Sequence, residues 1–262
     1  MTATASNVST GMLEVAGLEL AWDEAGGGPP LLVLHHEIGS PGWTQFHEEM
    51  TANRRVLVPD LPGYGRSHQP EWARSPRDLA ILLHLFLDKA GLNEVDVVGL
   101  GFGGWIAAEM ATMNQVRLRS LVLVNPYGLK PREGEILDQF LIGHEDFVRR
   151  GFADPGRFEA VFGAEPPIEM LEAWDIHREM TTRIAWKPYM YNPALPALLP
   201  EVRVSASIVA GEGDAIAPPD CAAHYAALLP NARLEILPRA GHFAELERPA
   251  ELAATIRTFL GT

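Results

Sequence analysis

The run Val97-Val98-Gly99-Leu100-Gly101-Phe102-Gly103-Gly104-Trp105 restricts this chain more than any other feature. An apolar strand enters it, and a helical stretch with Ile106, Ala107, Ala108 and Met110 leaves it. A strand that reverses this sharply into a helix needs small residues two positions either side of a strained apex. Gly99 and Gly103 have that spacing, and the apex is Gly101. Having no side chain, Gly101 carries no atom that can attack a carbonyl carbon. A dinucleotide-binding fingerprint is the competing reading of such a turn, and it fits poorly. Its third glycine falls on Gly104, the strand lies deep in the chain, and the next strand ends on Asn125 rather than on an acidic residue.

Around this turn, short β-rich runs alternate with helical stretches. Leu31 to Leu34, Arg55 to Val58, Val95 to Val98, Leu121 to Val124, Ser207 to Val209 and Leu234 to Leu237 read as strands. Met12 to Val15 and Leu18 to Trp22 flank Ala16-Gly17 and predict an antiparallel hairpin at the sheet edge. The alternation predicts an α/β fold with a mostly parallel twisted sheet and helices on both faces. Ser75 and Pro76 open a helix whose core face carries Leu79, Leu82, Leu83, Phe86 and Ala90, and Pro249 opens the last one. From Tyr127 to about Pro200 no strand is evident, only helical patches broken by glycine and proline. This predicts a helical cap (127–200) inserted after the sixth strand into a core formed by 1–126 and 201–262. Its aromatic residues, Trp186 among them, are expected mostly to fill the cap's own core, with a few lining a pocket.

Composition removes whole classes of function. A formal net charge of −13, with no local cluster of Lys and Arg, argues against a nucleic-acid partner. One cysteine, Cys221, cannot form an internal disulfide, and Met1 to Thr10 has neither a basic nor an apolar leader pattern. The longest apolar stretch, Leu79 to Leu87, is too short to cross a bilayer. The expectation is a cytoplasmic protein with a small-molecule partner and no membrane contact.

Four stretches together resemble the α/β-hydrolase superfamily, in particular its capped esterase, lactonase and C–C hydrolase-like members, over nearly the whole chain. Leu31-Leu32-Val33-Leu34-His35-His36-Glu37 is similar to the family's strand and oxyanion loop, and Asp60-Leu61-Pro62-Gly63-Tyr64-Gly65-Arg66-Ser67 to its Asp-x-x-Gly-x-Gly-x-Ser segment. The glycine-rich turn is the third. The fourth is the pair Gly211-Glu212-Gly213-Asp214 and Ala240-Gly241-His242-Phe243, in the family's order of apex, acid and histidine. The resemblance implies that Asp214 orients His242, that Gly101 stands at the nucleophile position, and that backbone N–H groups of Glu37 and Phe102 form an oxyanion hole. It implies no cofactor. Asp60 and Ser67 read as turn residues, and Asn125, where some members keep the acid, leaves Asp214 as the candidate.

Two positions depart from the family pattern. Gly101 removes acyl-enzyme chemistry, and His36 stands where glycine is usual. His36, Trp186 and Phe243 are expected to contact substrate. A metal held by His35, His36 and His242 is not expected, because adjacent residues at a strand end point to opposite faces. Three functions stay open: an enzyme using Asp214 and His242 as a general-base pair on a small, largely apolar carbonyl compound; an inactive ligand-binding relative; and a serine esterase or lactonase silenced at residue 101.

Overall fold

The structure is a computed structural model and describes residues 7–261; residues 1–6, part of the stretch read for a leader, lie outside it. β1 (Ser9–Val15) and β2 (Leu18–Gly26) form the expected hairpin. β3 (Pro30–Leu34), β4 (Arg55–Pro59), β5 (Val95–Leu100), β6 (Leu118–Val124), β7 (Ser205–Gly211) and β8 (Ala232–Leu237) pair in parallel. They complete one sheet of order β1-β2-β4-β3-β5-β6-β7-β8, with β2 antiparallel to β4. This is the mostly parallel α/β sheet that the alternation predicts. Several strands run two or three residues past their predicted ends, because pairing with a neighbour extends a strand through positions of weak propensity such as Ser205 and Ala232.

Helices cover both faces. α1 (Gln45–Met50) and α10 (Pro249–Leu260) lie on one, where Phe46, Met50, Leu252 and Ile256 meet Leu31, Val33, Val98 and Val122. α2 (Pro76–Lys89), α3 (Phe102–Met113) and α8 (Pro219–Leu228) cover the other, against Leu32, Leu34, Val97 and Leu121. Successive residues of β3 and β5 thus serve opposite layers, as the two-residue period of a strand requires. α2 begins as predicted: the Asp78 carboxylate accepts from Ser75 N at 2.9 Å and from Ser75 Oγ at 3.0 Å. α1 is too short to show a helical period and was not predicted.

Between β6 and β7 the chain forms α4 (His144–Arg150), α5 (Pro155–Phe162), α6 (Ile168–Ala185) and α7 (Leu195–Leu198). Phe152 packs edge to face on Phe158 and Phe162, as Phe162 does on Trp174, and Phe158 lies tilted against Phe162. α6 is fastened to the loops after β3 and β4: the Nδ1–H of His177 donates to Ile38 O at 2.7 Å, and Tyr64 Oη lies 2.8 Å from Thr181 Oγ1. A last short helix, α9 (Ala244–Glu247), follows β8. No helix among the described residues is long and apolar enough to cross a membrane.

At the amino end of β5, Asp96 is buried with Arg54. Arg54 Nη1 donates to Asp96 Oδ2 at 2.6 Å, Ser120 Oγ to Oδ1 at 2.6 Å, and Arg119 Nε to Oδ1 at 2.9 Å. Removing the carboxylate strands the Arg54 guanidinium in a dry place. Asp96→Ala is therefore expected to lower stability by about 3–5 kcal/mol, measured by urea denaturation, whereas a change below about 1 kcal/mol would mean that the cluster behaves like a surface pair.

Candidate active site

Topology decides where chemistry can occur. β4 lies on one side of β3 and β5 on the other, so the connections leaving β3 and β5 diverge and open a crevice at their carboxyl ends. His35-His36-Glu37 enters it directly after β3, and Gly101 directly after β5. The loops after β7 and β8 bring Asp214 and His242 to the same end of the sheet.

The turn after β5 has the geometry that its glycines suggest. Gly101 sits at φ 48° and ψ −106°, a conformation strained for any residue with a Cβ. Its N–H donates to Val124 O at 2.9 Å, while Gly103 N donates to His35 O at 3.0 Å. A Cβ on Gly103 would come within 2.3 Å of Leu34 O, so glycine is what lets α3 start against the end of β3. At Gly101 a Cβ would lie 2.2 Å from His36 Nδ1 and 2.9 Å from His242 Nε2. The His36 imidazole fills the room that a side chain on residue 101 would need.

A buried polar chain runs past this apex. The Nδ1–H of His242 donates to Asp214 Oδ2 at 2.8 Å, since a carboxylate can only accept. Asp214 Oδ1 accepts from the N–H groups of Ile216 at 2.8 Å and Ala217 at 2.9 Å, which holds the carboxylate in place. On the other edge of the ring, His242 Nε2 is 3.6 Å from Glu37 Oε1, which also accepts from Tyr127 Oη at 3.0 Å. The Nε2–H of His36 donates to Glu245 Oε2 at 3.1 Å. The His36 ring stands edge-on to His242 and to Phe243, with 4.9 Å between centroids in each case. One ligand atom from each of His36, Glu37 and His242 lies within 4.8 Å of the others.

Burial and pairing oppose each other here. Desolvation alone would drive His242 to its neutral form, but the carboxylates of Asp214 and Glu37 outweigh it and raise the pKa to about 10. Burial likewise disfavours a charged Glu37, yet the two imidazoles hold its carboxyl well below the usual range. For His36, burial is again overcome, by Glu245, and its pKa rises. His35 has no carboxylate in contact, and burial lowers it to about 4.

With this geometry in view, residues 31–255 match the sequence profile described as the Alpha/beta hydrolase family. The chain belongs to the alpha/beta hydrolase family. Among curated proteins, this alpha/beta hydrolase is 26% identical to 2-hydroxymuconate semialdehyde hydrolase of Pseudomonas sp. (strain CF600), over 94% of this chain and 91% of that one. It is also 26% identical to 2-hydroxy-6-oxononadienedioate/2-hydroxy-6-oxononatrienedioate hydrolase of Paraburkholderia phymatum, over 93% and 91%. Among solved structures, it shares its fold with a serine hydrolase of Cycloclasticus zankles at a TM-score of 0.82 and 17% identity, covering 97% and 98% of the two chains. The 2-hydroxy-6-oxo-6-phenylhexa-2,4-dienoate hydrolase of Rhodococcus sp. strain RHA1 superposes at 0.78 with 19% identity, covering 98% and 100%.

The fold brings most of the sequence-derived residues together. Asp214, His242, Gly101, His36 and Phe243 meet, and Phe102 opens α3 beside them, its N–H in the first helical turn where no intrahelical carbonyl is available. Trp186 does not join them. It ends α6, 48% exposed, against Phe140 and Tyr189; aromatic content does not reveal which face of a helix a residue takes. His35 and His36 face opposite ways, as expected for adjacent residues: His35 accepts from Leu61 N at 2.9 Å, while His36 meets His242. Glu37, which the sequence did not suggest as a ligand, is the third residue beside His36 and His242.

For Glu37 the sequence pointed to the backbone N–H, but the carboxylate is the group found beside His242. Glu245 and Tyr127 were missed. Glu245 sits three residues after His242, and Tyr127 two after Asn125; a buried imidazole in want of a carboxylate was the one available hint. Asn125 has a role of its own. At φ 46° it donates to Gly241 O and His242 O, both at 2.9 Å, and accepts from Gly211 N at 2.7 Å, clasping the histidine loop to β7. Asn125→Asp would turn an acceptor toward two carbonyl oxygens. It is expected to lower stability by about 2–4 kcal/mol in chemical denaturation; unchanged stability would mean that the loop is held elsewhere.

Proposed function

We propose that this chain is an enzyme acting on a small, largely apolar carbonyl compound, by a reaction that forms no covalent bond to residue 101 and depends on His242 held by Asp214. The observation that carries this reading is steric. His36 occupies the space of a side chain on Gly101, so the site is built around the glycine rather than damaged by it. A silenced serine site would leave room for the hydroxymethyl group; here two ring atoms of His36 and one of His242 lie within 3 Å of the added Cβ. The groups left to handle a proton are His242 and Glu37, both buried beside the apex.

Substrate class follows from the relatives and from the surroundings. The curated relatives named above are hydrolases of 2-hydroxy-6-oxo-dienoic compounds and 2-hydroxymuconate semialdehyde, which are conjugated carbonyl acids. Two cavities of about 380 Å³ each lie under the cap and share Pro41, Phe162 and Met170; one touches Ile38, next to Glu37, and the other touches Glu245. They reach residues that adjoin the polar centre and offer a place for a small, partly apolar molecule.

The test uses acyl p-nitrophenyl esters and a 2-hydroxy-6-oxo-dienoate, with phosphonate labelling read by mass spectrometry. Turnover by the natural chain is expected to fall at least about a hundred-fold in His242→Ala. Gly101→Ser alone is expected to gain no label and to lose activity, whereas Gly101→Ser with His36→Gly gains label because the ring has been removed. Labelling of the single Gly101→Ser variant would instead identify a serine hydrolase lacking only its nucleophile.

A further inference from the structure

The site contains more than a proton-handling pair requires. Three side-chain atoms, His36 Nδ1, Glu37 Oε2 and His242 Nε2, are buried and make no hydrogen bond to any described residue. Their residues are 2%, 1% and 0% exposed. Buried polar atoms without a partner are uncommon, and three facing one another call for a physical account. His36 Nδ1 is 3.8 Å from Glu37 Oε2, and His242 Nε2 is 3.6 Å from Glu37 Oε1. Such separations are too long for hydrogen bonds. They involve the two different oxygens of Glu37, and the three ligand atoms lie within 4.8 Å of one another, so a small inward rotation of the side chains brings them to the roughly 3.4 Å between two ligands that each lie about 2.1 Å from one tetrahedral ion.

We propose that His36 Nδ1, His242 Nε2 and the Glu37 carboxylate bind one divalent transition-metal ion of the zinc class. Each ligand is already held from behind. Asp214 accepts from His242 Nδ1–H at 2.8 Å, Glu245 from His36 Nε2–H at 3.1 Å, and Tyr127 donates to Glu37 Oε1 at 3.0 Å. A carboxylate behind each imidazole fixes the proton on the far nitrogen, so a neutral ring turns its lone pair inward; metal-bound histidines are oriented in this way. The donor set of two imidazoles and a carboxylate suits zinc(II) or iron(II) rather than magnesium or calcium.

Charge and space agree with this assignment. Asp214, Glu37 and Glu245 place three carboxylates around two imidazoles in a dry centre. A divalent ion would take the place of the inward-facing protons that these carboxylates otherwise hold on the two rings, keeping the centre neutralised while giving the three orphan atoms a partner. Any Cβ on residue 101 would stand 2.2 Å from His36 Nδ1 and 2.9 Å from His242 Nε2, inside the coordination sphere. Glycine there keeps a side chain away from the two ligating nitrogens. The inference deepens the proposed function and rests on its claim that residue 101 supplies no nucleophile: with an ion bound, His242 and Glu37 serve as its ligands rather than as proton carriers, and the ion would supply the polarisation of a carbonyl oxygen and the ionisation of a bound water near neutral pH.

The full chain, stripped with EDTA, is titrated with zinc chloride by calorimetry and with cobalt(II) by visible absorption. One zinc per chain and a cobalt band of a nitrogen and oxygen site are expected. Both are expected to vanish in His36→Ala, Glu37→Gln and His242→Ala, and to persist in His68→Ala, which removes an exposed histidine. Asp214→Asn and Glu245→Gln keep the stoichiometry and weaken binding about 10–100-fold. X-ray absorption of the wild-type zinc form, expected to report two imidazoles, needs no variant to fold. Failure of the wild type to take up zinc, or uptake that survives all three ligand substitutions, overturns the site. Zinc bound at these residues without carbonyl turnover keeps the site and removes the proposed function; His242-dependent turnover that survives EDTA with no zinc uptake does the reverse.

Discussion

The close approach of the turn after β5 to the end of β3 is the constraint on which the rest of the site depends. Gly103 N reaches His35 O at 3.0 Å because nothing but hydrogen stands between the two backbones. That contact fixes where α3 begins, and so where the apex residue faces. It also sets the path of His36 and Glu37, which leave β3 at the same level. With a side chain on residue 101 the His36 ring could not lie where it does, so glycine at the apex and histidine at 36 are two halves of one steric solution.

Electrostatics builds on that frame. Taking several ionisable groups out of water is unfavourable unless each meets an opposite charge and a full set of hydrogen bonds. Here the groups are distributed over five separate segments: the loop after β3, the stretch after β6, the loops after β7 and β8, and α9. Each carboxylate or phenol answers an imidazole or carboxylate from another segment. α6 is tied to the neighbouring loops through His177 and Thr181. Such a site excludes water and strengthens every interaction inside it, the condition under which modest chemical groups do most.

Much of this was legible in the chain. Strand alternation, the hairpin and the Ser75 cap follow from local periodicity and capping chemistry, and the glycine spacing located the apex. The pairing of Asp214 with His242 came from a motif resemblance that the 2.8 Å contact matches. Trp186 shows the limit, since an aromatic residue at a helix end gives no sign of which way the helix will turn. Glu245 shows another: its meaning comes from His36, 209 positions away.

The sequence by itself determined the class of fold, the order of the strands along the chain and the absence of a side chain at residue 101, because these rest on residues near one another. Only the tertiary structure decided what fills the space at that apex. His36, Glu37, Tyr127, Glu245 and His242 are joined by distances that no local pattern encodes. Their protonation and the orientation of their free atoms depend on burial, which exists only once the sheet, the helices between β6 and β7 and the returning loops have closed around them.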